Sequence, residues 1–323
     1  SHLLCEPDEI FFMSGATEAN NTAIYSLCAL SRLQSKKQVV ISAIEHKCVI
    51  EAAKHWTSVF GLDLKILRVD KEGFIDQQQL REFLKTPTLF CSIIAANNEI
   101  GTIQKLDKIS ELLIEAGVIF HSDSAQAAKT DLPYDICDHV DVASFSGHKI
   151  GGPQGIGCLY IAAHLQSDFR PLILGGGQQN GIRSGTLPLP LCVGLGQAFK
   201  DLSSLDFVAI KRVRDTLFRE LRSNIPGLKL NGPGLELRHA CNLNVFFPNI
   251  ESADVIAKLQ PKLAVSSGSA CGSGNIEPSY VLGALPTQID VSQNSIRMGV
   301  GEQTTEQDVI QAASLISAII SND

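Results

Sequence analysis

Across the first two thirds of this chain, apolar runs of strand length alternate with stretches of helical period, and that alternation limits the fold to a layered α/β design. EIFFMSG, QVVISAIEH, LKILRVD, TLFCSIIAANN, VIFHSDSAQ, DVASFSGHK and GIGCLYI have the composition of strands, while TEANNTAIYSLCALSRL, KCVIEAAKHWTSVFG and DKISELLIEAG repeat apolar residues at helical spacing. Strands separated by helices predict a parallel sheet flanked by helices. Nearly every strand run ends in a cluster rich in Asn, Asp, Ser or His, and the polar ends of buried strands are where α/β proteins keep their chemistry. After the glycine-rich LGGGQQNGIRSGTLP, one long helical stretch from PLCVGLGQAF to VRDTLFRELRS leads into CNLNVFF, LAVSSGSAC and SIRMGVG, then to the helix candidate TTEQDVIQAASLISAII. The expected division is a large domain over residues 1–206 and a smaller α+β domain over residues 207–323.

With 323 residues, 44% of them hydrophobic and 19% charged, the chain can bury at least one large core. A net charge of -7, and the lack of any stretch both basic and rich in aromatics, argue against direct binding of nucleic acid. No apolar run reaches the length of a membrane span, and SHLLCEPDEI has neither the charged start nor the apolar segment of a secretion signal, so a cytoplasmic site is expected. Nine cysteines without a CxxC pair suit neither a disulfide framework nor a zinc site and point to a reducing compartment, with no metal expected.

SFSGHKIGGPQGIG sets Lys149 just beyond a strand, in a turn of small and polar residues. Desolvation there would free its amine to form a Schiff base with an aldehyde, although a loop lysine taken alone is far more often a solvated surface group. VIFHSDSAQ supplies Asp123 at a strand end, where a carboxylate can pair with a protonated pyridine nitrogen or serve as a turn or helix cap. In SGATEANN a helix opens directly after a strand, and the backbone N–H groups around Gly15, Ala16 and Thr17 form a cup for a phosphate, although the same letters suit a plain capping arrangement. IEHKCV puts His46 past another strand, either lying flat over a cofactor ring and moving protons or acting only as a hydrogen-bonded loop residue.

SGATEANN, EHK, NNEIG, SDSAQ, SFSGHK, GPQGIG, RSGTLP, SSGSAC, EPSYVL and SIRMGVG follow one another along the chain. In that order and spacing the chain resembles the cysteine desulfurases of the class V aminotransferase family, specifically the NifS and IscS-like group, over essentially its whole length. The resemblance implies the type I fold of pyridoxal-phosphate enzymes, with a mainly parallel seven-stranded sheet in the large domain and a smaller α+β domain. It implies that Lys149 carries pyridoxal phosphate as a Schiff base, that His46 stacks on the ring, that Asp123 pairs with the ring nitrogen and that Gln126 bonds the ring hydroxyl. Thr17, Ser146 and His148 would hold the phosphate, beside the cup at Ala16. Asn98 and Arg297 would hold the substrate carboxylate, a task that suits the two-pronged fork of an arginine.

Cys271 sits in SSGSACGSGN, a run of small residues that reads as a mobile loop, unlike the apolar settings of Cys28, Cys91 and Cys158. By the resemblance Cys271 is the nucleophile: the Lys149 amine removes the α-proton of L-cysteine, the Cys271 thiolate takes the sulfur as a persulfide, and alanine leaves, with His46 as a proton carrier. A homodimer is implied, in which Thr186 of RSGTLP reaches the phosphate in the partner subunit's site. So is a sulfur-acceptor protein, such as an iron–sulfur scaffold or a tRNA-thiolating enzyme. Relatives begin with a further segment bearing an NATTP-like motif, whereas this sequence starts at SHLLCEPDEI, and SACGSG and VGEQTT stand where relatives commonly have SACTSA and LGRFTT. The alternatives are a selenocysteine lyase or other class V lyase, and a non-catalytic, partner-binding relative.

Overall fold

The seven apolar runs form one sheet in a computed structural model, which describes residues 3–30, 35–130, 135–248, 250–268, 278–287 and 291–321. The strands are β1 (Ile10–Met13), β2 (Gln38–Ser42), β3 (Asp63–Leu67), β4 (Thr88–Ser92), β5 (Ile119–Asp123), β6 (Val142–Ser146) and β7 (Gly157–Ile161), in the order β1-β7-β6-β5-β4-β2-β3. From β6 to β3 all neighbours run parallel, while β7 is antiparallel to both β6 and β1. The mainly parallel sheet expected from the sequence is therefore present. β2, β4, β5, β6 and β7 are buried along their whole length, which explains why their sequences run apolar instead of alternating.

Among the described residues seven α-helices accompany these strands: α1 (Ala16–Cys28), α2 (Lys47–Phe60), α3 (Gln77–Phe83), α4 (Leu106–Glu115), α5 (Ile136–His139), α6 (Ala163–Gln166) and α7 (Leu189–Leu202). Helices α1 and α2 contribute Ala23, Leu27, Val49 and Ala53 to a core shared with Phe11, Val39 and Ile41 of the sheet, and Tyr25 meets Trp56 with ring centroids 4.7 Å apart. Fully burying a side chain such as Leu27 or Ile41 stabilises the fold by about 1.5–3 kcal/mol.

The chain divides into two compact units, one of residues 1–68, 75–96 and 104–204, the other of residues 69–74, 97–103 and 205–323. The sequence offers one boundary, near 207, and no sign of the two short strips that the second unit takes from the first half. In that unit lie α8 (Phe207–Asn224), β8 (Lys229–Leu230), β9 (Asn242–Phe246), α9 (Ser252–Leu259), α10 (Tyr280–Ala284), β10 (Ser295–Gly299) and α11 (Glu306–Ser321). Its three strands form an antiparallel sheet, β10-β9-β8, and α8, α9 and α11 bring Leu221, Leu259 and Ile316 into one core with Leu243, Val245 and Ile296.

One expectation needs correction. The single long helical stretch is broken: α7 ends at Leu202 and α8 begins at Phe207, because the Asp206 carboxylate accepts the Ala209 N–H at 3.0 Å and starts a new helix. Ser266 makes one isolated bridge with Arg297, and residues 269–277, which include Cys271, lie outside the described residues.

Candidate functional site

Strands β1, β2, β4, β5 and β6 point the same way, so their carboxyl ends share one edge of the sheet. The segments leaving that edge carry most of the candidate residues. Asp123 is the last residue of β5 and is buried. Its Oδ1 accepts the Ala125 N–H at 3.0 Å and its Oδ2 accepts the Asn20 amide at 2.8 Å. Burial raises its pKa, and the Ala125 N–H, the nearby His46 and the Asn20 amide only partly offset that. Among the described residues no lysine or arginine pairs with it.

His46 is half-buried and caps the N-terminus of α2, its Nδ1 accepting the Cys48 N–H at 3.2 Å. A fixed backbone donor on Nδ1 means that the neutral ring carries its proton on Nε2. The Cys48 Sγ stands 3.0 Å from the same Nδ1. Burial first, and the Asp123 charge second, push the Cys48 thiol up to about 12, which keeps it a protonated donor. His46, Cys48 and Asp123 bring a nitrogen, a sulfur and an oxygen within 4.8 Å of one another. The Ala125 and Cys48 N–H groups and the Asn20 amide aim donors at these same atoms, so the three side chains belong to one hydrogen-bond network.

At the start of α1 the capping question left open by the sequence is answered. Gly15 provides no side-chain cap, and Glu18 instead reaches back, its Oε2 accepting the Ser14 N–H at 2.7 Å while its Oε1 meets Arg183 Nε at 2.8 Å. Burial alone would raise the Glu18 pKa, but Arg183 and Ser14 outweigh it and hold the carboxyl below its ordinary value. The first helical bond runs from Ala19 N to Gly15 O at 3.1 Å, so the N–H groups of Ala16 and Thr17 stay outside the helix ladder and face an anion-favouring dipole end. Gly157 makes the cup compact: a Cβ there would lie 2.4 Å from Phe145 O and 2.8 Å from Gly15 Cα.

Ser146 ends β6 and is buried, with Oγ 3.0 Å from His148 Nδ1. His148 is exposed; what desolvation it has, and then the Lys149 charge, hold its pKa below the ordinary value. Lys149 lies in the single helical turn Gly147–Ile150. It is exposed, and among the described residues its amine has no hydrogen-bond or ion-pair partner. The desolvation expected for this lysine is therefore not supplied by the described residues, because Lys149 stands in a surface turn past the buried strand. Gln126 is half-buried at the head of the short turn Ala127–Lys129. Thr186 is exposed and forms no hydrogen bond among the described residues.

The second unit joins Asn98 and Arg297, although 199 residues separate them: Arg297 Nη1 donates to Asn98 O at 3.2 Å. The β9/β10 register sets Arg297 opposite Asn244, whose amide donates to Glu99 O at 3.0 Å.

The aminotransferase class-V family matches residues 3–311. The chain is 40% identical over 320 residues to a cysteine desulfurase IscS of Ehrlichia chaffeensis, covering 98% of this chain and 77% of that protein. It is 39% identical to a probable mitochondrial cysteine desulfurase of Dictyostelium discoideum, covering 93% of this chain and 67% of that one. A solved NifS-like protein superposes with a TM-score of 0.88 at 32% identity, covering 99% of this chain and 85% of that chain. The chain belongs to the cysteine desulfurases of the class V aminotransferase family. This family implies pyridoxal phosphate, and the residues present fit that group: a buried Asp123 lacking a lysine or arginine partner suits a protonated pyridine nitrogen, and the uncapped N-terminus of α1 suits a phosphate.

In this desulfurase three polar residues of the sheet edge escaped sequence reasoning. Asn20, which ties Asp123 to the Cys48 thiol, lies four residues past Ala16 in SGATEANN, and helical spacing alone was a usable signal. Cys48 carried no signal, being one of nine scattered cysteines. Glu45 is fully buried, its Oε1 accepting the Ser42 hydroxyl at 2.5 Å and the Ile94 N–H at 2.6 Å. Burial above all pushes its pKa up to about 8.

Proposed function

We propose that this chain works as a pyridoxal-phosphate-dependent cysteine desulfurase in which Lys149 holds the cofactor and Cys271 receives the sulfur. The observation that carries this reading is the buried Asp123 carboxylate, without a lysine or arginine partner and beside His46, on the sheet edge that also bears Lys149 and the uncapped helix α1. Bound to Lys149, pyridoxal phosphate supplies an electron sink that acidifies the substrate α-proton and loosens the bond between the β-carbon and sulfur. The Ala16 N–H group, Thr17, Ser146 and His148 would hold the phosphate, Asp123 would pair with the ring nitrogen, Gln126 would bond the ring hydroxyl, and His46 would stack on the ring. The Arg297 fork and Asn98 hold the substrate carboxylate.

Once the substrate's own amino group has taken its place on the cofactor, the freed Lys149 amine would accept the α-proton. The Cys271 thiolate attacks the substrate sulfur, so that a sulfur–sulfur bond forms as the carbon–sulfur bond breaks, and the β-carbon takes up a proton and departs in alanine. His46, with its proton on Nε2, serves as proton carrier. The exchange is redox-balanced within the two thiols and the β-carbon, and it needs no external oxidant. A solved relative, SspA in complex with cysteine, shares 33% identity over 94% of this chain with a TM-score of 0.79, and the cysteine it binds supports cysteine as substrate.

A homodimer belongs to this reading, with the exposed Thr186 reaching the phosphate of the partner subunit's site. A sulfur-acceptor protein, an iron–sulfur scaffold or a tRNA-thiolating enzyme, would then take up the persulfide sulfur, in the cytoplasm. No described helix is long and apolar enough to cross a membrane. Protein reconstituted with pyridoxal phosphate should gain visible absorbance, change its spectrum on addition of L-cysteine and release alanine. Folded, reconstituted protein that releases no alanine would overturn the proposal.

A further inference from the structure

Asn20 is fully buried in α1, one helical turn past Ala16. An asparagine inside a helix is a poorer helix former than alanine or leucine, and its amide needs partners once water is gone. Both amide hydrogens find them outside α1: Nδ2 donates to Asp123 Oδ2 on β5 at 2.8 Å and to Cys48 Sγ on α2 at 3.4 Å. The neighbouring Asn21, by contrast, turns its amide to Thr17 O of its own helix, at 2.9 Å. The Asn20 Oδ1 is buried with no hydrogen-bond partner among the described residues. A position that served packing alone would accept leucine, which has the same branching, without stranding that oxygen. The two N–H groups are therefore what Asn20 supplies.

Those groups act on Asp123 from a direction its own segment cannot reach. Oδ1 is held locally by the N–H of Ala125, two residues on, whereas Oδ2 takes its amide donor from a different element, α1. Burial favours the neutral carboxyl group, and a hydrogen bond donated to the ionised form opposes that preference. The ionised form is the one that attracts a protonated pyridine nitrogen. Cys48 keeps the amide from turning: its Sγ accepts the second hydrogen, while the protonated thiol stands 3.0 Å from His46 Nδ1. With one hydrogen pinned at Cys48, the other faces the carboxylate.

We propose that Asn20 is a positioning residue for the cofactor ring: pinned by Cys48, its amide keeps Asp123 ionised and oriented for the pyridine nitrogen. The inference rests on the pyridoxal-phosphate reading and adds to it a residue that acts through Asp123. Its consequence is a selectivity. Asn20 strengthens binding of a ring that carries a protonated nitrogen at that position and does nothing for a ring that lacks one. A helix residue that only packs would act on both alike.

The test titrates cofactor-free protein with two probes, pyridoxal phosphate and its 1-deaza analogue, in which a C–H replaces the ring nitrogen. Dissociation constants are read by absorbance for wild type, Asn20→Ala, Asn20→Leu, Asp123→Asn and the Asn20→Ala, Asp123→Asn pair. Asn20→Ala should weaken pyridoxal phosphate by on the order of 10- to 100-fold, the range for a lost hydrogen bond to a charged group, and leave the analogue nearly unaffected. In Asp123→Asn protein, loss of Asn20 should weaken pyridoxal phosphate little further, because the two residues act as one. Equal weakening of both probes, an unchanged constant for pyridoxal phosphate, or a full Asn20 effect in Asp123→Asn protein would each overturn the inference. If Asn20→Ala does not fold, Asn20→Leu, which refills the space, and Cys48→Ala, which only unpins the amide, are read by the same split. Wild-type protein that gains no visible absorbance with pyridoxal phosphate sinks the cofactor reading itself. Wild-type protein that binds it, with Asn20 variants that keep the wild-type ratio of the two constants, sinks this inference alone.

Discussion

The polar edge of the large sheet and the strip around Asn98 assemble their functional groups by opposite routes. At the sheet edge each group follows its own strand closely: Asp123 closes β5, Ser146 closes β6, and His46 comes shortly after β2 and caps α2. Backbone ladders between buried strands bring these positions together, so no single side chain is responsible for the arrangement. In the second unit, Asn98 and Arg297 are 199 residues apart, and Glu99 and Ser279 are 180 apart. Side-chain amides, a guanidinium and a hydroxyl hold them, each such bond contributing about 0.5–1.5 kcal/mol net. The first region should tolerate loss of a functional side chain without loss of fold, whereas the second should register it in geometry and stability together.

The strongest test of that contrast is Lys149→Ala. Turnover of cysteine should fall by roughly four orders of magnitude or more, while the melting temperature stays near wild type because the exposed amine has no partner among the described residues. Borohydride reduction and peptide mapping should locate the pyridoxyl group at Lys149 in wild type only. A large drop in melting temperature would show that the edge depends on its functional side chains after all.

Beneath the same edge, Glu45→Gln probes the buried layer. The Glu45 pKa is about 8 in the fold against an ordinary 4.5, so the folded state retains a proton that the unfolded state releases within that window. Stability from this group is full at low pH and is lost as pH rises toward 8. Glutamine should flatten that decline by on the order of 3–5 kcal/mol at most. Urea midpoints measured across the window check it; an unchanged slope would mean that Glu45 titrates normally. His121 works in the opposite sense, since burial pushes its pKa down to about 3 and acid must charge it.

A smaller effect is expected in the second unit. Arg297→Lys should raise KM for cysteine on the order of 10- to 100-fold through loss of the two-pronged fork, with the cofactor spectrum unchanged. Because Arg297 also holds Asn98 O, stability should fall by about 0.5–1.5 kcal/mol. An unchanged KM would place the substrate carboxylate elsewhere; an unchanged stability would remove the contrast between the regions.

Much of the sheet was legible in the primary structure, since VVI, LFC and their counterparts are apolar because both faces of those strands are covered. The candidates near strand ends were legible for the same reason. What misled was local: SSLD interrupts a helical pattern that otherwise reads as continuous, and Lys149 sits in an exposed turn where a desolvated one was expected. Asn20 was within reach of helical spacing, whereas Glu45 and Cys48 draw their significance from neighbours supplied by other strands and helices.

The order of residues by itself determined the strands, most helices and the family, because periodicity and motif spacing are properties of short stretches of chain. Only the tertiary structure decided that Glu99 meets Ser279, that Arg297 meets Asn98, and that strips 69–74 and 97–103 join the second unit. The physical reason is that a side chain's partner across such distances depends on strand order and register, which settle when the sheets pack and are not encoded in any local spacing.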